Sequence, residues 1–456
     1  MNTENTINRR KFLQLGASFG MLAGLGGLKM TQAAAAQDYK ALVCLFLFGG
    51  NDGHNMLVSK NSAQHNAYLA ARSSSGFALS LNQLLDITDP NLGAMGVHNA
   101  MPEVQALFTQ GKAAFLANVG MLVQPTLYAN LSNPSFPLPT QLRSHSDQVQ
   151  QMQTGVPSSG GSSGWGGRTL DWLQANNANT NFPVAIAMNS PSIFCAGNQV
   201  VGTSLQPGNA LDQTAMNLYP ASAGQARAAA QQQIATTDSG NSIINAANKS
   251  IADALALNPI LKNAASNITW QTPFPGTSLG NQLQEIARII SLNSQLNVGR
   301  QVFFCSLGGF DTHSGQSYQQ GFLLGQVSQA LKAFYDATVQ LGVANQVTAF
   351  TLSDFGRTLQ PSGSGTDHGW GNHHMIIGGA VSGGRIYGQF PLMTNYANFN
   401  STNSDYADNR GTMLPNTSLS QYGATLAKWF GATDAQLDSV FPTLPSFAVR
   451  DVGFMG

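Results

Sequence analysis

Aspartate and histidine side chains are concentrated in a few short segments that could bind a metal ion. Asp311 and His313 stand two residues apart, so in an extended segment their side chains point to the same side. Carboxylate and imidazole groups are ligands of Zn²⁺, and of Mn²⁺ where oxygen ligands dominate. The full set of candidate ligands is Asp52, Asp311, His313, Asp354, His368 and His374. We predict that they bind one or two divalent ions, with zinc, manganese and calcium as the candidates.

A second segment, RSHSDQ over residues 143–148, could supply the group that attacks a substrate. A hydroxyl at a helix N-terminus beside a dipositive metal can be deprotonated and can attack an ester. The helix dipole would favour an anionic substrate group at the same place. Alternatively, Ser144 simply caps the helix. The candidate catalytic residues are Ser144, His145 and Arg357, and the candidate substrate-binding residues are Asn51, Arg143 and His373.

Each of these segments has an ordinary structural explanation when it is taken alone. Asn51-Asp52-Gly53 is a common turn sequence, and Asp354 could cap a helix. His373 and His374 are adjacent, so on a strand they point to opposite faces and at most one of them would reach a metal. A metal site is favoured because four such segments each follow a predicted strand.

The predicted elements alternate between strands and helices, which favours an α/β fold with a mostly parallel central sheet flanked by helices. The run ALVCLFLF at 41–48 is typical of a central strand that is buried on both faces. Further strands are predicted at 113–119, 183–188, 302–307, 347–352 and 375–377. Helices are predicted at 102–110, 168–175, 278–292, 322–341 and 419–429. In open α/β sheets ligands bind beyond the carboxyl ends of the strands, where the Asp and His segments fall.

The first 37 residues have the pattern of an export signal. A twin-arginine motif, Arg9-Arg10-Lys11-Phe12-Leu13, precedes an apolar run to Leu28 and the small residues at 33–36 that suit cleavage. We expect a periplasmic or secreted protein with one domain over 38–456 and a helical insertion at about 205–275. No later apolar run reaches about 18 residues, so we expect no transmembrane anchor in the mature chain.

The composition excludes several classes of function. Only 9% of the 456 residues are charged, against about 25% in an average soluble chain, and the 21 basic residues balance the 21 acidic ones. A balance of this kind does not indicate nucleic-acid binding. Three cysteines cannot form a disulfide framework, so we interpret them as core residues.

The sequence resembles the family called domain of unknown function 1501. The segments that carry the resemblance are LFLFGGNDGHNMLV, RSHSDQVQQMQTG, GGFDTHSGQ, LSDFGRTLQPSGSGTDHGWGNHH and GGRIYGQFP. That family is in turn similar to the alkaline phosphatase and sulfatase superfamily, which implies an alkaline-phosphatase-like fold. By resemblance, the metal ligands are Asp52, Asp311, His313, Asp354 and one of His368, His373 and His374. The resemblance also places Ser144 or Ser146 at the position of the nucleophile.

The chain departs from the superfamily at two points. Asp354 is followed by Phe355 where the superfamily commonly has histidine, and position 144 is serine where sulfatases have cysteine. The resemblance implies an exported, metal-dependent hydrolase of phosphate or sulfate esters that acts on an anionic substrate. The alternative is a non-catalytic secreted metal- or ligand-binding envelope protein on a hydrolase-like scaffold. Family members often occur with proteins of domain of unknown function 1800, which suggests a co-exported partner.

Overall fold

A computed structural model describes residues 38–177, 182–208, 220–240, 244, 248, 268–397 and 405–456. The predicted export signal and part of the predicted helical insertion lie outside these residues. The strands in the described residues are β1 (Lys40–Leu47), β2 (Leu57–Ser59), β3 (Leu84–Asp89), β4 (Gly93–His98), β5 (Ala113–Gly120), β6 (Ala185–Met188), β7 (Thr203–Leu205), β8 (Arg300–Leu307), β9 (Val347–Ser353), β10 (Arg357–Ser362), β11 (Gly365–His368), β12 (Asn372–Gly378), β13 (Ile386–Gly388) and β14 (Thr417–Ser418).

The α-helices in the same residues flank these strands. They are α1 (Gly53–Met56), α2 (Ser62–Arg72), α3 (Pro102–Thr109), α4 (His145–Thr154), α5 (Trp165–Leu173), α6 (Ala221–Thr236), α7 (Ser278–Ile290), α8 (Asn293–Leu296), α9 (Gln316–Gln340), α10 (Met393–Ala397), α11 (Leu419–Phe430) and α12 (Asp434–Val440). In this part of the chain, none of them is both long enough and apolar enough to cross a membrane.

A central sheet of nine strands organises the fold. Its strand order is β13-β5-β12-β9-β1-β8-β6-β7, and β14 pairs with β5. Only β12 runs antiparallel to its neighbours β5 and β9, and the other pairs of this sheet are parallel. The predicted α/β fold with a mostly parallel central sheet is therefore confirmed.

The central strand β1 shows why the sheet is covered on both faces. Its residues from Ala41 to Leu47 are buried and alternate between two hydrophobic cores. Helices α3, α7 and α9 pack into one core, and α5, α11 and α12 pack into the other. A strand with an apolar side chain at every position requires helices on both faces, as in doubly wound sheets.

Two smaller sheets were not among the predicted elements. One has the order β2-β4-β3, and the other is the antiparallel pair β10 and β11. Arg357 begins β10 and is paired with His368 at the end of β11. This short pair brings a buried arginine and a histidine to the carboxyl end of the central sheet.

Candidate metal centre

Several loops beyond the carboxyl ends of the central strands build the candidate site. Asp311 follows β8, and Asp354 follows β9 directly. The loops come very close together at Gly49, which follows β1 with a φ of +114°, a backbone conformation that favours glycine. A Cβ atom at that position would lie 2.3 Å from the backbone nitrogen of Asp311. The glycine therefore allows the β1 loop to pack against the segment that carries Asp311.

Three histidine side chains converge on Asp311. One potential ligand atom from each of His145, Asp311 and His368 lies within 4.8 Å of the other two. His368 Nε2 is 3.0 Å from His145 Nε2 and 3.3 Å from Asp311 Oδ1. His313 adjoins this group, because its Nε2 is 2.9 Å from His368 Nε2 and 3.0 Å from Asp311 Oδ1. Imidazole nitrogens and one carboxylate thus face a common point.

The other nitrogen of each ring faces an oxygen that can only accept a hydrogen bond. The pairs are His145 Nδ1 with Asp354 Oδ2 at 2.6 Å, His313 Nδ1 with Asp367 Oδ1 at 3.2 Å, and His368 Nδ1 with the carbonyl oxygen of Arg143 at 2.8 Å. Because a carboxylate or a carbonyl does not donate, Nδ1 carries the proton in each neutral ring. Each Nε2 therefore presents a lone pair toward the cluster.

A divalent cation fits this arrangement. When the rings are neutral, the lone pairs of three imidazoles and a carboxylate face one another and repel, and a cation between them removes that repulsion. Histidines that bind a metal typically donate their other N–H to a carboxylate or a backbone carbonyl, as His145 and His368 do here, and His313 Nδ1 lies 3.2 Å from the Asp367 carboxylate. A donor set of imidazole nitrogen and carboxylate oxygen suits Zn²⁺, and imidazole also suits other transition metals.

The electrostatic environment differs between the members of the cluster. The hydrogen bond to Asp354 raises the pKa of His145 above its ordinary value. Burial lowers the pKa of His368. Burial alone would raise the pKa of Asp311, but the hydrogen bond and charge of Arg357 outweigh it, so that the pKa falls.

Asp354 and Arg357 form hydrogen bonds to members of the cluster, to His145 and Asp311 respectively. Asp354 is buried, and its two oxygens accept from His145 Nδ1 and from the backbone N–H of Gly49 at 3.0 Å. The predicted ligand Asp354 is therefore an orienting partner of a candidate ligand. Arg357 Nη1 donates to Asp311 Oδ1 at 3.1 Å and to the Gly49 carbonyl at 2.9 Å.

The remaining donors of Arg357 are also engaged. Its Nε donates to the Thr366 hydroxyl at 2.8 Å, and its Nη2 donates to the Thr366 carbonyl. The guanidinium is fully buried. The expectation that Arg357 holds the anionic oxygens of a substrate is not supported, because these donors position Asp311 and the backbone instead.

Ser144 lies between two residues that contact the cluster, His145 through its ring and Arg143 through its carbonyl. It occupies the position before α4, but its side chain does not accept from the backbone N–H groups of that helix. Instead, Ser144 Oγ donates to Asp147 Oδ2 at 2.5 Å and lies 3.2 Å from Ser146 Oγ. The hydroxyl of Ser144 therefore has a carboxylate partner and does not serve as a helix cap.

Asp52, predicted as a metal ligand, has both oxygens bonded to a buried arginine. Arg72 Nη1 donates to Asp52 Oδ2 at 2.6 Å, and Arg72 Nη2 donates to Asp52 Oδ1 at 3.0 Å. Burial raises the pKa of Asp52, but the ion pair with Arg72 outweighs burial and lowers it. Asn51 is buried beside Asp52 and donates its backbone N–H to Ser353. The structure gives both residues structural partners and gives no support to the ligand role of Asp52.

His373 and His374 lie inside the sheet, away from the converging rings. His373 stacks on Phe390 with ring centroids 5.1 Å apart, and its Nδ1 accepts from the backbone N–H of Asn118. His374 stacks on Tyr422 at 5.6 Å, and neither of its ring nitrogens has a hydrogen-bond partner in the described residues. Burial lowers the pKa of His374 to about 3. The ligand role of His374 and the substrate-binding role of His373 thus lack geometric support.

Sequence reasoning missed two functional neighbours of the cluster. Asp367 Oδ1 lies 3.2 Å from His313 Nδ1, and Asp367 Oδ2 lies 2.5 Å from Arg410 Nη2. The position of Asp367 directly before His368 is a signal that could have found it. Arg410 lies in the segment YADNRGT, which carries no motif that could have indicated its place.

Comparison with known proteins identifies the family. The model of the family described as "Protein of unknown function (DUF1501)" matches residues 39–437, and the chain belongs to that family. A search of curated proteins finds no match. Among solved structures, the chain is similar to Ps i-CgsB in complex with k-i-k-neocarrahexaose, with 10% identity, 88% of this chain and 74% of that chain covered, and a TM-score of 0.36.

A second structure of Ps i-CgsB gives a similar result. It has 10% identity, covers 91% of this chain and 77% of that chain, and has a TM-score of 0.37. Likeness at this level carries no argument about function. The functional argument therefore depends on the geometry of the cluster.

Proposed function

We propose that this member of the DUF1501 family is an exported, metal-dependent hydrolase of phosphate or sulfate esters. The observation that carries the proposal is the convergence of three imidazole Nε2 atoms on Asp311. The other nitrogen of each ring faces an acceptor oxygen, which is the usual arrangement of metal-binding histidines. A distant relationship to the alkaline phosphatase and sulfatase superfamily is part of the proposal.

The residues that would hold the ion are His145, Asp311 and His368, with His313 beside them. A bound divalent ion supplies Lewis acidity that polarises the oxygen of an ester and stabilises negative charge as it develops. Asp354 keeps the ring of His145 in one orientation, and Asp367 does the same for His313. The Asp354 carboxylate also raises the basicity of His145.

Ser144 is the proposed nucleophile. Its Oγ would form a bond to phosphorus or sulfur while the bond to the departing ester oxygen breaks. Its proton would pass to Asp147, whose Oδ2 already accepts from Ser144 Oγ at 2.5 Å, and the departing oxygen would take a proton from water. Attack by water on the seryl ester would then form the new bond to phosphorus or sulfur and break the bond to Ser144 Oγ, which would take its proton back from Asp147. The proton lost by the attacking water would neutralise the hydroxide left by the first step, and the inorganic anion would be released.

The test is turnover of three model esters by the metal-loaded protein: 4-nitrophenyl phosphate, bis(4-nitrophenyl) phosphate and 4-nitrophenyl sulfate. We expect hydrolysis of at least one, and loss of it in Ser144→Ala. A matched control is Ser73→Ala, which removes an exposed hydroxyl bonded only to a nearby carbonyl. Bound metal without turnover of any ester would favour a non-catalytic metal-binding envelope protein instead.

Export belongs to the proposal as well. The motif Arg9-Arg10-Lys11 supports the twin-arginine route. Replacing both Arg9 and Arg10 with lysine should retain the chain in the cytoplasm, and delivery to the periplasm by the double variant would contradict this route. Co-purification of a DUF1800 protein with the exported chain would test the proposed partner.

A further inference from the structure

Two arginines at the edge of the cluster differ from the buried Arg357. The side chains of Arg143 and Arg410 are 46% and 41% exposed. Arg143 Nη2 lies 2.5 Å from Asp408 Oδ2, and Arg410 Nη2 lies 2.5 Å from Asp367 Oδ2. Each guanidinium is thus placed by one carboxylate while a large part of it faces solvent.

These two ion pairs and the candidate metal centre are linked by a closed chain of contacts. On one side, Asp367 connects Arg410 to the Nδ1 of His313. On the other side, the carbonyl of Arg143 accepts from His368 Nδ1, whose Nε2 lies 2.9 Å from that of His313. Asp408 completes this chain of contacts. Its Oδ1 accepts from the backbone N–H of Arg410 at 3.0 Å, and its Oδ2 accepts from Arg143 Nη2. The arginines therefore have fixed positions relative to the cluster.

A guanidinium has five N–H donors in a planar fork, which matches the oxygens of a phosphate or sulfate group. In Arg357 the donors on all three nitrogens are bonded to Asp311, Gly49 and Thr366. Arg410 instead makes its one side-chain contact through Nη2 to Asp367 in the described residues. Within the described part of the chain, the Arg143 guanidinium bonds only through Nη2, to Asp408 and to the Thr412 hydroxyl at 3.4 Å. Most of their donors therefore remain available at the rim.

We propose that Arg410, together with Arg143, binds the anionic group of the substrate next to the candidate metal centre. This inference rests on the proposed function and names the residues that would recognise the anionic group of its substrate. The oxygens of the substrate that do not react would accept from the exposed N–H groups, while Asp367 and Asp408 keep the guanidiniums in place. Because Asp367 is shared with His313, Arg410 is also connected to a candidate metal ligand.

The experiment measures binding of inorganic sulfate and inorganic phosphate to the zinc-loaded full-length protein by calorimetry. Each variant is first tested for zinc content and for its melting temperature. We expect Arg410→Gln to weaken anion binding by about tenfold or more, because a hydrogen bond to a charged group is lost. Arg143→Gln should have an effect of the same direction. Arg410→Lys should recover part of the affinity, since it keeps the charge but loses the planar fork.

Arg450→Gln is the matched control. Arg450 is likewise partly exposed, and its Nη2 lies 2.5 Å from Asp438 Oδ1 in an ion pair that has no part in the cluster. This variant should bind both anions with the affinity of the wild type, which would exclude a general effect of removing one surface charge.

The possible outcomes separate the two proposals. Wild-type zinc content with weakened anion binding in Arg410→Gln, but not in Arg450→Gln, supports the inference. Zinc binding with equal anion affinity in wild type and Arg410→Gln overturns the inference and leaves the metal centre intact. Failure of the wild type to bind zinc or any other divalent ion overturns the proposed function and this inference with it.

Discussion

Six histidines in and around the loop segments form two contrasting groups. His145 and His368 stand at the ends of elements, and His313 lies in the loop between β8 and α9. Their side chains are 24–46% exposed, and their Nε2 atoms lie close together. The contrasting group is fully buried and consists of His54, His373 and His374. Each of these buried rings stacks on an aromatic ring, namely Tyr406, Phe390 and Tyr422 respectively.

The difference between the groups lies in where the ring nitrogens face. In the first group Nδ1 faces a carboxylate or a carbonyl, and Nε2 is directed to the cluster. In the second group burial lowers the pKa, to about 3 for His54 and His374, and the rings are neutral core residues. His54 of the buried group also has a ring nitrogen near a carbonyl, that of Gly411 at 3.3 Å, so a candidate ligand is distinguished by a partner for one nitrogen together with convergence of the other nitrogen on the cluster.

The largest expected effect is the loss of metal in Asp311→Ala. Asp311 is the shared neighbour of all three converging rings. We expect metal affinity to fall well beyond the roughly 10–100-fold that loss of an outer partner costs. Elemental analysis of the purified variant checks this, with His374→Phe as the control from the buried group. Unchanged metal content in Asp311→Ala would remove the distinction between the two groups.

The buried ion pair of Asp52 and Arg72 should contribute to the stability of the fold and not to metal binding. Asp52→Asn leaves the fully buried Arg72 without its carboxylate partner, so the free energy of unfolding should fall by about 3–5 kcal/mol. Metal bound per folded chain should stay at the wild-type level. Denaturant unfolding and elemental analysis measure the two quantities separately.

The double variant Asp52→Asn with Arg72→Met sharpens this test. It removes the unpaired charge, so part of the lost stability should return. If Asp52→Asn instead loses metal while it stays folded, Asp52 is a ligand and the predicted assignment from the sequence is right.

A smaller effect is expected from Asp354→Asn. The amide can still contact His145 Nδ1 but removes the negative charge that raises the basicity of that ring. Metal affinity should fall by about 10–100-fold, which is the usual cost of losing an outer partner. Competition with a chelator of known affinity measures the change. An affinity equal to that of the wild type would show that His145 does not contribute a bond to the ion.

The smallest effect concerns acid stability and the buried group. The pKa of His374 is about 3 in the folded chain and about 6.5 when unfolded, so between these pH values the unfolded chain binds more protons. Stability is therefore lost as the pH falls from about 6.5 toward 3, by about 1.4 kcal/mol per pH unit for this residue. His374→Phe should lose less stability over that window.

Urea unfolding of wild type and His374→Phe at pH 7 and pH 5 measures this difference. At pH 7 the two proteins should be similar in stability, because neither ring nitrogen of His374 has a hydrogen-bond partner in the described residues. Identical acid sensitivity of the two proteins would show that the His374 ring is not a source of the pH dependence.

Much of the fold could be predicted from the sequence. The continuous apolar run now seen as β1 and the amphipathic patterns of α7 and α11 depend on local periodicity, which the sequence displays directly. The small sheets were missed because β10 and β11 are short and polar, and their pairing is fixed by contacts with the loops around them.

The site was predictable in part. The proximity of Asp311 and His313 was predictable because they follow a strand, and strand ends converge at one edge of the sheet. His368 was a candidate because Asp and His are concentrated in its segment. Asp52 could not be separated from them, because its partner Arg72 is 20 residues away and carries no signal in the sequence. The place of His145 among the ligand atoms also depends on tertiary contacts with Asp354 and His368.

The most direct test of the metal centre is elemental analysis of the protein isolated from its native cells, purified without chelator or immobilised nickel. The account predicts about one divalent ion per chain at the cluster, retained in His374→Phe and lost in Asp311→Ala. A wild-type protein that carries no metal, and that takes up none when titrated with zinc, manganese or calcium, would contradict it.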